Sequence, residues 1–309
     1  MENYIYGPVP SRRLGRSLGV DLIPCKICTY DCIYCQLQKS SSKTLKRGSY
    51  RPMDAVLTQL WEKLDQGTAP DCITLAGSGE PTLNRDIGTI ITRIRDRTSI
   101  PVAVLTNGSL LWEPSVKDAV MAADIVIPSL DAYTPEMFQA INRPHSGIDF
   151  QTMTRGLVDF ARAYTGTLWL EIFIMDGING AAADAEHFLP LVRDINPRHL
   201  YINTAVRPAA DPSVIKAPDE AIDRFYGILG RPRQADVNQR HSAKNTEHTD
   251  TAGEILAMTA RRPVTITDIA AGLSISQETA TRHINDLLAN NAVEMVETDA
   301  FTYYRKISG

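Results

Sequence analysis

The stretch CKICTYDCIYC, residues 25–35, holds four of the five cysteines in this chain of 309 residues. Three of its thiols follow the spacing Cys28-x3-Cys32-x2-Cys35. Thiolates are soft ligands that suit iron–sulfur clusters and zinc. Three of them on one short loop can hold a four-iron cluster and leave its fourth iron open to a small molecule. The spacing therefore predicts a metal site that performs electron-transfer chemistry.

Two other uses of these cysteines are less consistent with the sequence. A disulfide framework is disfavoured, because the cysteine count is odd and the N-terminus has no apolar signal segment. Structural zinc is a stronger alternative, since Cys25/Cys28 and Cys32/Cys35 also form two C-x2-C pairs. Zinc-binding pairs are usually separated by about a dozen or more residues, whereas only three intervene here. The spacing favours the iron–sulfur cluster.

With the aromatic Tyr34 directly before its last cysteine, the motif resembles the cluster loop of the radical S-adenosylmethionine (radical SAM) superfamily. The resemblance implies that Cys28, Cys32 and Cys35 hold a [4Fe–4S] cluster whose open iron chelates S-adenosylmethionine. It also implies a reductant such as flavodoxin or ferredoxin, and cleavage to a 5′-deoxyadenosyl radical that abstracts hydrogen from a substrate. Cys25 lies outside the triplet and is expected not to be a ligand.

Strand-like and helix-like segments alternate after the cysteine loop. The six predicted strands are 18–23, 72–76, 102–105, 125–128, 168–175 and 200–204. Strands separated by helices form right-handed βαβ units and a parallel sheet, so we expect an α/β fold. The resemblance implies the partial (β/α)6 barrel of radical SAM enzymes, with the active site at the carboxyl ends of the strands. Cys72 begins an apolar strand and is expected to be a small buried side chain.

Small and polar residues follow the ends of the predicted strands. The sequence GSGEP, residues 77–81, resembles the G-G-E-P motif of the superfamily, which contacts the methionine amino group, and its glycines permit close backbone approach. Asn107 belongs to a T-N-G sequence found in several branches, and by analogy Ser129 and Asp131 are placed to bind ribose hydroxyls. The residues that the resemblance nominates for cofactor binding are Tyr34, Gly77, Ser78, Gly79, Glu80, Asn107, Ser129, Asp131, Glu171, Asn203 and Thr204.

Glu171 lies within the fifth predicted strand. Its alternation with Ile172 and Ile174 predicts that its side chain points into the barrel. A buried carboxylate needs a partner, so either the cofactor or a basic neighbour is expected there, and both alternatives stay open.

The net charge of −4 hides a basic N-terminal region. Residues 1–50 contain eight Lys or Arg against three Asp or Glu. This excess predicts an electropositive active-site mouth that attracts phosphate or another anion, although an ordinary solvated surface is the alternative. Arg12, Arg13 and Arg143 are the candidates for contact with an anionic substrate.

The substrate class follows only from a narrower resemblance. The blocks SLDA at 129–132 and INRP at 141–144 are most similar to the wyosine-type tRNA base-modifying branch, which implies an RNA base. Enzymes of that branch carry further cysteines for a second cluster, and this chain has no second set of cysteines. A peptide or protein substrate is the alternative, and an iron–sulfur transcription regulator is a rival from another class.

The composition changes after residue 230, which predicts a barrel at 1–230, a polar linker at 231–250 and a small domain at 251–309. Helices followed by a hairpin make the small domain resemble a winged helix-turn-helix module, whose partner is nucleic acid or protein. Five Lys or Arg against seven Asp or Glu give it a net charge of −2, whereas DNA-binding surfaces are basic. No run of 18 apolar residues occurs, so we expect a protein of the reducing cytoplasm without a membrane partner.

Overall fold

One curled β-sheet forms the scaffold of the chain. The structure, a computed structural model, describes residues 2–37, 42–233, 251–298 and 301–307. In chain order the strands are β1 (Ile5–Ser11), β2 (Gly15–Val20), β3 (Ile27–Cys28), β4 (Ser42–Lys43), β5 (Cys72–Leu75), β6 (Val102–Thr106), β7 (Ile125–Pro128), β8 (Thr167–Ile174), β9 (His199–Thr204), β10 (Val293–Glu297) and β11 (Thr302–Lys306). The helices are α1 (Met53–Asp65), α2 (Ile87–Arg97), α3 (Pro114–Val120), α4 (Pro135–Ile141), α5 (Phe150–Ala163), α6 (Ala182–Ile195), α7 (Asp219–Ile228), α8 (Thr251–Thr259), α9 (Ile266–Leu273) and α10 (Gln277–Ala289).

The sheet contains seven strands in the order β1-β2-β5-β6-β7-β8-β9. Strands β2 and β5 to β9 are parallel and correspond to the six predicted strands, although the first begins at Gly15 and ends at Val20. Helices α1 to α6 lie between successive parallel strands in the chain. The predicted α/β class and partial barrel are therefore confirmed.

The antiparallel edge strand β1 was not predicted. It pairs with β2, and the register shifts between Tyr6 and Val9. Pro8 and Pro10 lie within it, and proline is tolerated in a strand mainly at a sheet edge, where one side of the backbone needs no ladder hydrogen bond. Because two of its seven residues are proline, the sequence pattern does not predict this strand.

The two faces of the sheet bury different apolar clusters. On the outer face, side chains such as Ile73, Leu170 and Phe188 are fully buried in one large core. A smaller cluster joins Leu14, Cys72, Ala103 and Ile127. Because neighbouring strand residues alternate between faces, Cys72 lies on the opposite face from Ile73, inside the curl. Its side chain is buried, as the sequence predicts.

Residues 251–298 and 301–307, called here the C-terminal module, form three helices and a two-stranded hairpin. Their core includes Ile255, Ile269 and Ile284, together with Val9 of the edge strand. A Cβ atom at Gly272 would meet the carbonyl oxygen of Pro8 at 2.8 Å, so this glycine lets α9 approach β1 closely. The module thereby covers an edge that would otherwise be open for pairing.

The predicted linker at 231–250 lies, apart from its first three residues, outside the described residues. Among the residues that the structure does describe, no helix has both the length and the apolar composition needed to span a membrane.

Candidate active site

The predicted cluster ligands lie on the loop that follows β2. Neighbouring segments hold the backbone of this loop: Lys26 N donates to Ser78 O at 2.7 Å, and Ile33 N donates to Ile141 O at 2.9 Å. Ser78 lies just beyond the carboxyl end of β5, and Ile141 is the last residue of α4. The loop is therefore fixed over the end of the barrel where the resemblance places the active site, whereas Cys25 is exposed.

Two asparagine side chains donate to cysteine sulfur atoms. Asn107 Nδ2 lies 3.6 Å from Cys28 Sγ, and Asn142 Nδ2 lies 3.5 Å from Cys32 Sγ. Hydrogen bonds to sulfur tune the reduction potential of an iron–sulfur cluster. Asn107 is one of the predicted cofactor residues, whereas Asn142 is a site residue that the sequence reasoning missed. Its membership of the block at 141–144 was the available signal.

The environment of the thiols favours their neutral form. Burial raises the pKa of Cys28 to about 12, and burial also raises the pKa of Cys32 well above its ordinary value and that of Cys35 more moderately. A bound metal inverts this preference, because its positive charge stabilises the coordinating thiolate. All three thiols are free of disulfides and partly buried. The donor set therefore fits a thiolate-bound [4Fe–4S] cluster.

The loop after β5 packs beneath the cysteine loop. Gly77 adopts a φ of 151°, and a Cβ atom there would meet Asp21 Cγ at 2.5 Å. Ser78 Oγ donates to Asp21 Oδ2 at 2.6 Å. A Cβ at Gly79 would collide with the carbonyl oxygen of Ile27. Both glycines are therefore needed to bring this predicted cofactor-binding loop against the cluster loop.

Glu80 joins two strand ends through a full set of hydrogen bonds. Its Oε1 accepts from the Thr82 and Thr106 hydroxyls, each at 2.6 Å, and its Oε2 accepts from Asn107 N at 2.8 Å. Burial raises its pKa. In this structure Glu80 therefore organises the loops after β5 and β6.

Asp131 has a similar organising role on the other side of the loop. It accepts hydrogen bonds from Tyr34 OH, from Asn142 Nδ2 at 2.8 Å and from Phe173 N at 3.0 Å. Burial raises its pKa to about 6. The Tyr34 ring stacks on that of Phe173 with centroids 4.1 Å apart. These contacts fix the end of the cysteine loop onto β8.

The turn between β1 and β2 reaches across the open side of the curl. Arg13 forms an ion pair with Glu171, which supplies the basic neighbour that a buried carboxylate requires. Arg12 Nη2 donates to Asn203 Oδ1 at 2.7 Å, so the turn meets β9 at the opposite sheet edge. The guanidinium of Arg13 lies 4.9 Å from the centroid of the Tyr201 ring.

Of the remaining predicted residues, Ser129 and Thr204 lie at strand ends, whereas Arg143 lies elsewhere. Ser129 forms an isolated bridge with Glu171, and the buried Thr204 hydroxyl accepts from Ala217 N at 2.8 Å. Arg143 does not line the same cavity as Arg12 and Arg13. Its guanidinium forms an ion pair with Asp211 at 3.0 Å. Ser213 and Arg143 together lower the pKa of Asp211 to about 2.

A cavity of about 390 Å³ opens where the β1–β2 turn, β9 and the C-terminal module meet. Its wall includes Gln36, which directly follows the last cluster cysteine, and Asn203 at the end of β9. Four arginines and one carboxylate, that of Asp268, also line it; the arginines are Arg12, Arg13, Arg207 and Arg262. The cavity is therefore cationic and adjacent to the cluster loop.

Comparisons with known proteins agree with this geometry. Residues 22–189, more than half of the chain, match the Radical SAM superfamily. A relative from Brachyspira hyodysenteriae named GTPase Obg is 34% identical over 94% of this chain, but the chain spans only 43% of that protein. The UPF0026 protein MJ1312 from Methanocaldococcus jannaschii is 29% identical over 97% of this chain and 95% of its own length.

A solved structure shares the fold. The radical SAM methyltransferase from Sphaerobacter thermophilus superposes with a TM-score of 0.52 at 18% identity, over 71% of this chain and 65% of that one. At this identity the likeness concerns the fold alone, and the superfamily match carries the assignment. The chain belongs to the radical SAM superfamily and is an enzyme whose cofactors are a [4Fe–4S] cluster and S-adenosylmethionine.

Proposed function

We propose that this enzyme modifies a nucleic-acid base, carried in RNA, by radical chemistry at the cluster loop. The observation that carries the proposal is the cationic cavity beside Gln36, because four arginines suit a substrate that bears phosphate. The resemblance of residues 129–132 and 141–144 to the wyosine-type branch supports the same substrate class. A volume of about 390 Å³ lies within the usual range for small-ligand sites.

The residues have distinct roles in this proposal. Cys28, Cys32 and Cys35 hold the cluster, and the loop 77–80 binds the methionine end of the cofactor. When bound, the cluster and S-adenosylmethionine supply a 5′-deoxyadenosyl radical that removes a hydrogen atom from the substrate. The protein orients the substrate and excludes water from the radical.

Further cofactor contacts are proposed at strand ends. The side chains expected to contact the ribose and adenine of S-adenosylmethionine are Tyr34, Asn107, Ser129, Asp131, Glu171, Asn203 and Thr204. Several of these residues already form hydrogen bonds or ion pairs within the protein. They therefore position neighbouring groups as well as contact the cofactor. Arg12 and Arg13 contact the substrate, and Arg143 extends the same role outside the cavity.

The organisation of the chain is part of the proposal. Residues 1–230 form the barrel domain, and residues 251–309 form a winged helix-turn-helix domain that binds the RNA substrate or an associated protein. The three helices and the β10–β11 hairpin support this second assignment. A flavodoxin or ferredoxin supplies the electron, and the reducing cytoplasm is the compartment that preserves the thiolate-bound cluster.

The test is substrate-stimulated release of 5′-deoxyadenosine. The enzyme is reconstituted anaerobically with iron and sulfide, then incubated with reductant, S-adenosylmethionine and, separately, cellular RNA or protein fractions. We expect the RNA fraction to stimulate release, and ribonuclease treatment of that fraction to abolish the stimulation. Stimulation by the protein fraction alone would contradict the RNA proposal and identify a peptide or protein substrate instead.

A further inference from the structure

Arg262 belongs to the C-terminal module and lines the cavity beside Gln36. Its Nη2 atom is buried, and among the described residues no hydrogen bond or ion pair engages its side chain. Leaving a buried donor unsatisfied is costly, and leaving a buried charge unpaired costs more. Buried polar groups in folded proteins are nearly always hydrogen-bonded, so an exception of this kind calls for an explanation.

A second arginine of the cavity wall, Arg207, also has a nitrogen without a hydrogen-bond partner. Arg207 Nη2 pairs with Asp268 at 3.2 Å, but its Nε atom is buried without a partner. Arg207 follows β9 in the barrel, whereas Arg262 and Asp268 belong to the C-terminal module. Two parts of the chain that are distant in sequence therefore contribute arginines to the wall of one cavity.

Charges of both signs act on Arg262. Burial lowers its pKa to about 10 and the nearby Arg207 acts in the same direction, whereas Asp268 and Tyr6 raise the pKa and Arg12 lowers it. At neutral pH the guanidinium still carries its charge. Asp268 is the one carboxylate in the described lining, and Arg207 already engages it. The cavity therefore has a cationic excess that an anion would neutralise.

Unpartnered buried nitrogens also occur outside the cavity lining, at Arg16, Arg47, Arg51 and Trp169, and the surroundings of the arginines differ. Arg16 donates to Ala69 O at 3.5 Å through its Nη1 atom. Arg47 donates to Thr82 O at 3.0 Å through its Nε atom, and Arg51 forms an ion pair with Glu2. Each of these guanidinium groups is thus partly satisfied within the protein. None of these arginines lines the cavity. At the cavity beside Gln36, by contrast, Arg262 has no side-chain hydrogen bond or ion pair among the described residues, and three other arginines line the same wall.

We propose that Arg262, together with Arg207 and Arg12, forms a phosphate subsite in which the C-terminal module completes the substrate-binding cavity of the barrel. A guanidinium matches phosphate through paired, charge-assisted hydrogen bonds. This inference rests on the proposed function, because it assumes that the substrate is a nucleotide unit. The phosphate belongs either to an internal phosphodiester of RNA or to a free nucleoside monophosphate.

The test measures binding to the reconstituted full-length enzyme in the presence of S-adenosylmethionine, without turnover. The probes are the four nucleoside 5′-monophosphates, the matching nucleosides, and RNA trinucleotides that lack terminal phosphates. In Arg262→Gln we expect affinity for phosphate-bearing probes to fall about tenfold or more, with nucleoside affinity unchanged. Arg262→Lys should retain part of the affinity, because it keeps the charge but loses the planar fork.

A matched control comes from the same module. Arg282 is exposed on α10 and lies outside the described cavity lining. Arg282→Gln should leave the affinities within about twofold of the wild type, since scattered exposed charges contribute little. A larger loss in Arg282→Gln than in Arg262→Gln would overturn the proposal and locate phosphate binding on α10.

The two phosphate sources separate in the same experiment. A loss restricted to trinucleotides identifies the phosphodiester of RNA, and a loss restricted to monophosphates identifies a free nucleotide; either supports the subsite. Unchanged affinity for both would overturn it. A loss of affinity for S-adenosylmethionine without loss for the phosphate probes would also overturn it, because the cavity would then hold the cofactor carboxylate.

Stability provides a readout that is independent of the ligand. Removing an unpaired buried charge should leave the thermal midpoint of Arg262→Gln equal to or above that of the wild type. A clear decrease would show that Arg262 stabilises the fold and would overturn the subsite. Because no turnover is needed, the subsite can hold while RNA fails to stimulate deoxyadenosine release, or can fail while RNA succeeds.

Discussion

The region beneath the cluster loop and the cavity beside Gln36 differ in how their charged groups are paired. Beneath the cluster loop, Glu80 and Asp131 accept hydrogen bonds from several donors and are buried with them. At the cavity, Arg262 has no partner among the described residues. The first region satisfies its charges within the protein, whereas the second is where we propose that a phosphate binds.

The consecutive residues Arg261 and Arg262 show the same difference between a paired and an unpaired charge. Arg261 Nε donates to the buried Asp21 at 3.1 Å, and its Nη2 donates to Asn3 O at 2.7 Å. Asp21 in turn accepts from Ser78 in the predicted cofactor loop. Arg261 therefore ties the C-terminal module to the barrel, while the side chain of its neighbour Arg262 forms no hydrogen bond or ion pair with the described residues. Neighbouring identical side chains thus have separate roles.

The largest effect is expected at the cluster ligands. In Cys32→Ala, release of 5′-deoxyadenosine by the reconstituted enzyme should fall to background, because the cluster loses one of its three thiolates. Cys25→Ala is the matched control and should keep both its iron content and its activity, since Cys25 is exposed and outside the triplet. Iron loss in Cys25→Ala together with retained activity in Cys32→Ala would show that the ligand register is wrong.

The next effect separates the two consecutive arginines. Arg261→Gln should lower the free energy of unfolding by about 3–5 kcal/mol, because it leaves the carboxylate of Asp21 buried without its cationic partner. Arg262→Gln should show no such loss. Urea unfolding of both variants measures the difference. Equal destabilisation would remove the contrast between a structural and a ligand-binding arginine.

A smaller cost is expected where Glu80 joins the strand ends. Glu80→Gln places an amide donor against groups that are themselves donors, so unfolding free energy should fall by about 1–3 kcal/mol. The exposed Glu278 of α10 offers a control, and Glu278→Gln should change stability by less than about 0.5 kcal/mol. A neutral Glu80→Gln would mean that the strand-end network tolerates a missing acceptor.

The smallest effect concerns the donor to sulfur. Asn142→Ala removes the amide that lies 3.5 Å from Cys32 Sγ. Loss of one hydrogen bond of about 1 kcal/mol should shift the cluster reduction potential by about 40 mV to more negative values. Spectroscopic redox titration measures this shift, and the exposed Asn285→Ala is the control. An unchanged potential would exclude electronic tuning by Asn142.

Local pattern predicted most of the regular structure. Helix α1 (Met53–Asp65) lies between the first two predicted strands, where a helix-like segment is expected, and the strand expected at 125–128 is Ile125–Pro128. These elements carry clear apolar periodicity, which local sequence displays directly. β1 was missed because its prolines oppose a strand pattern, and only pairing with β2 and cover by the module stabilise it there.

The candidate site was predictable in part for the same reason. The cysteine spacing and the GSGEP sequence each lie within one short loop, so their chemistry is visible without tertiary structure. Asn142 and Arg262 gave no such signal, because an asparagine or arginine acquires its role only from the group it faces. The cavity adds Arg207 and Arg262 to Arg12 through contacts between segments far apart in the chain.

By itself, the sequence determined the α/β class and the succession of helices and strands, and it predicts the ligands of the cluster, since spacing and periodicity are local properties. The tertiary structure alone decided which charged side chains of the described residues have partners within the protein and which do not. That distinction depends on how the C-terminal module packs against β1, and burial makes it energetically significant. Arg261 and Arg262 are the same residue type in sequence and differ only through that packing.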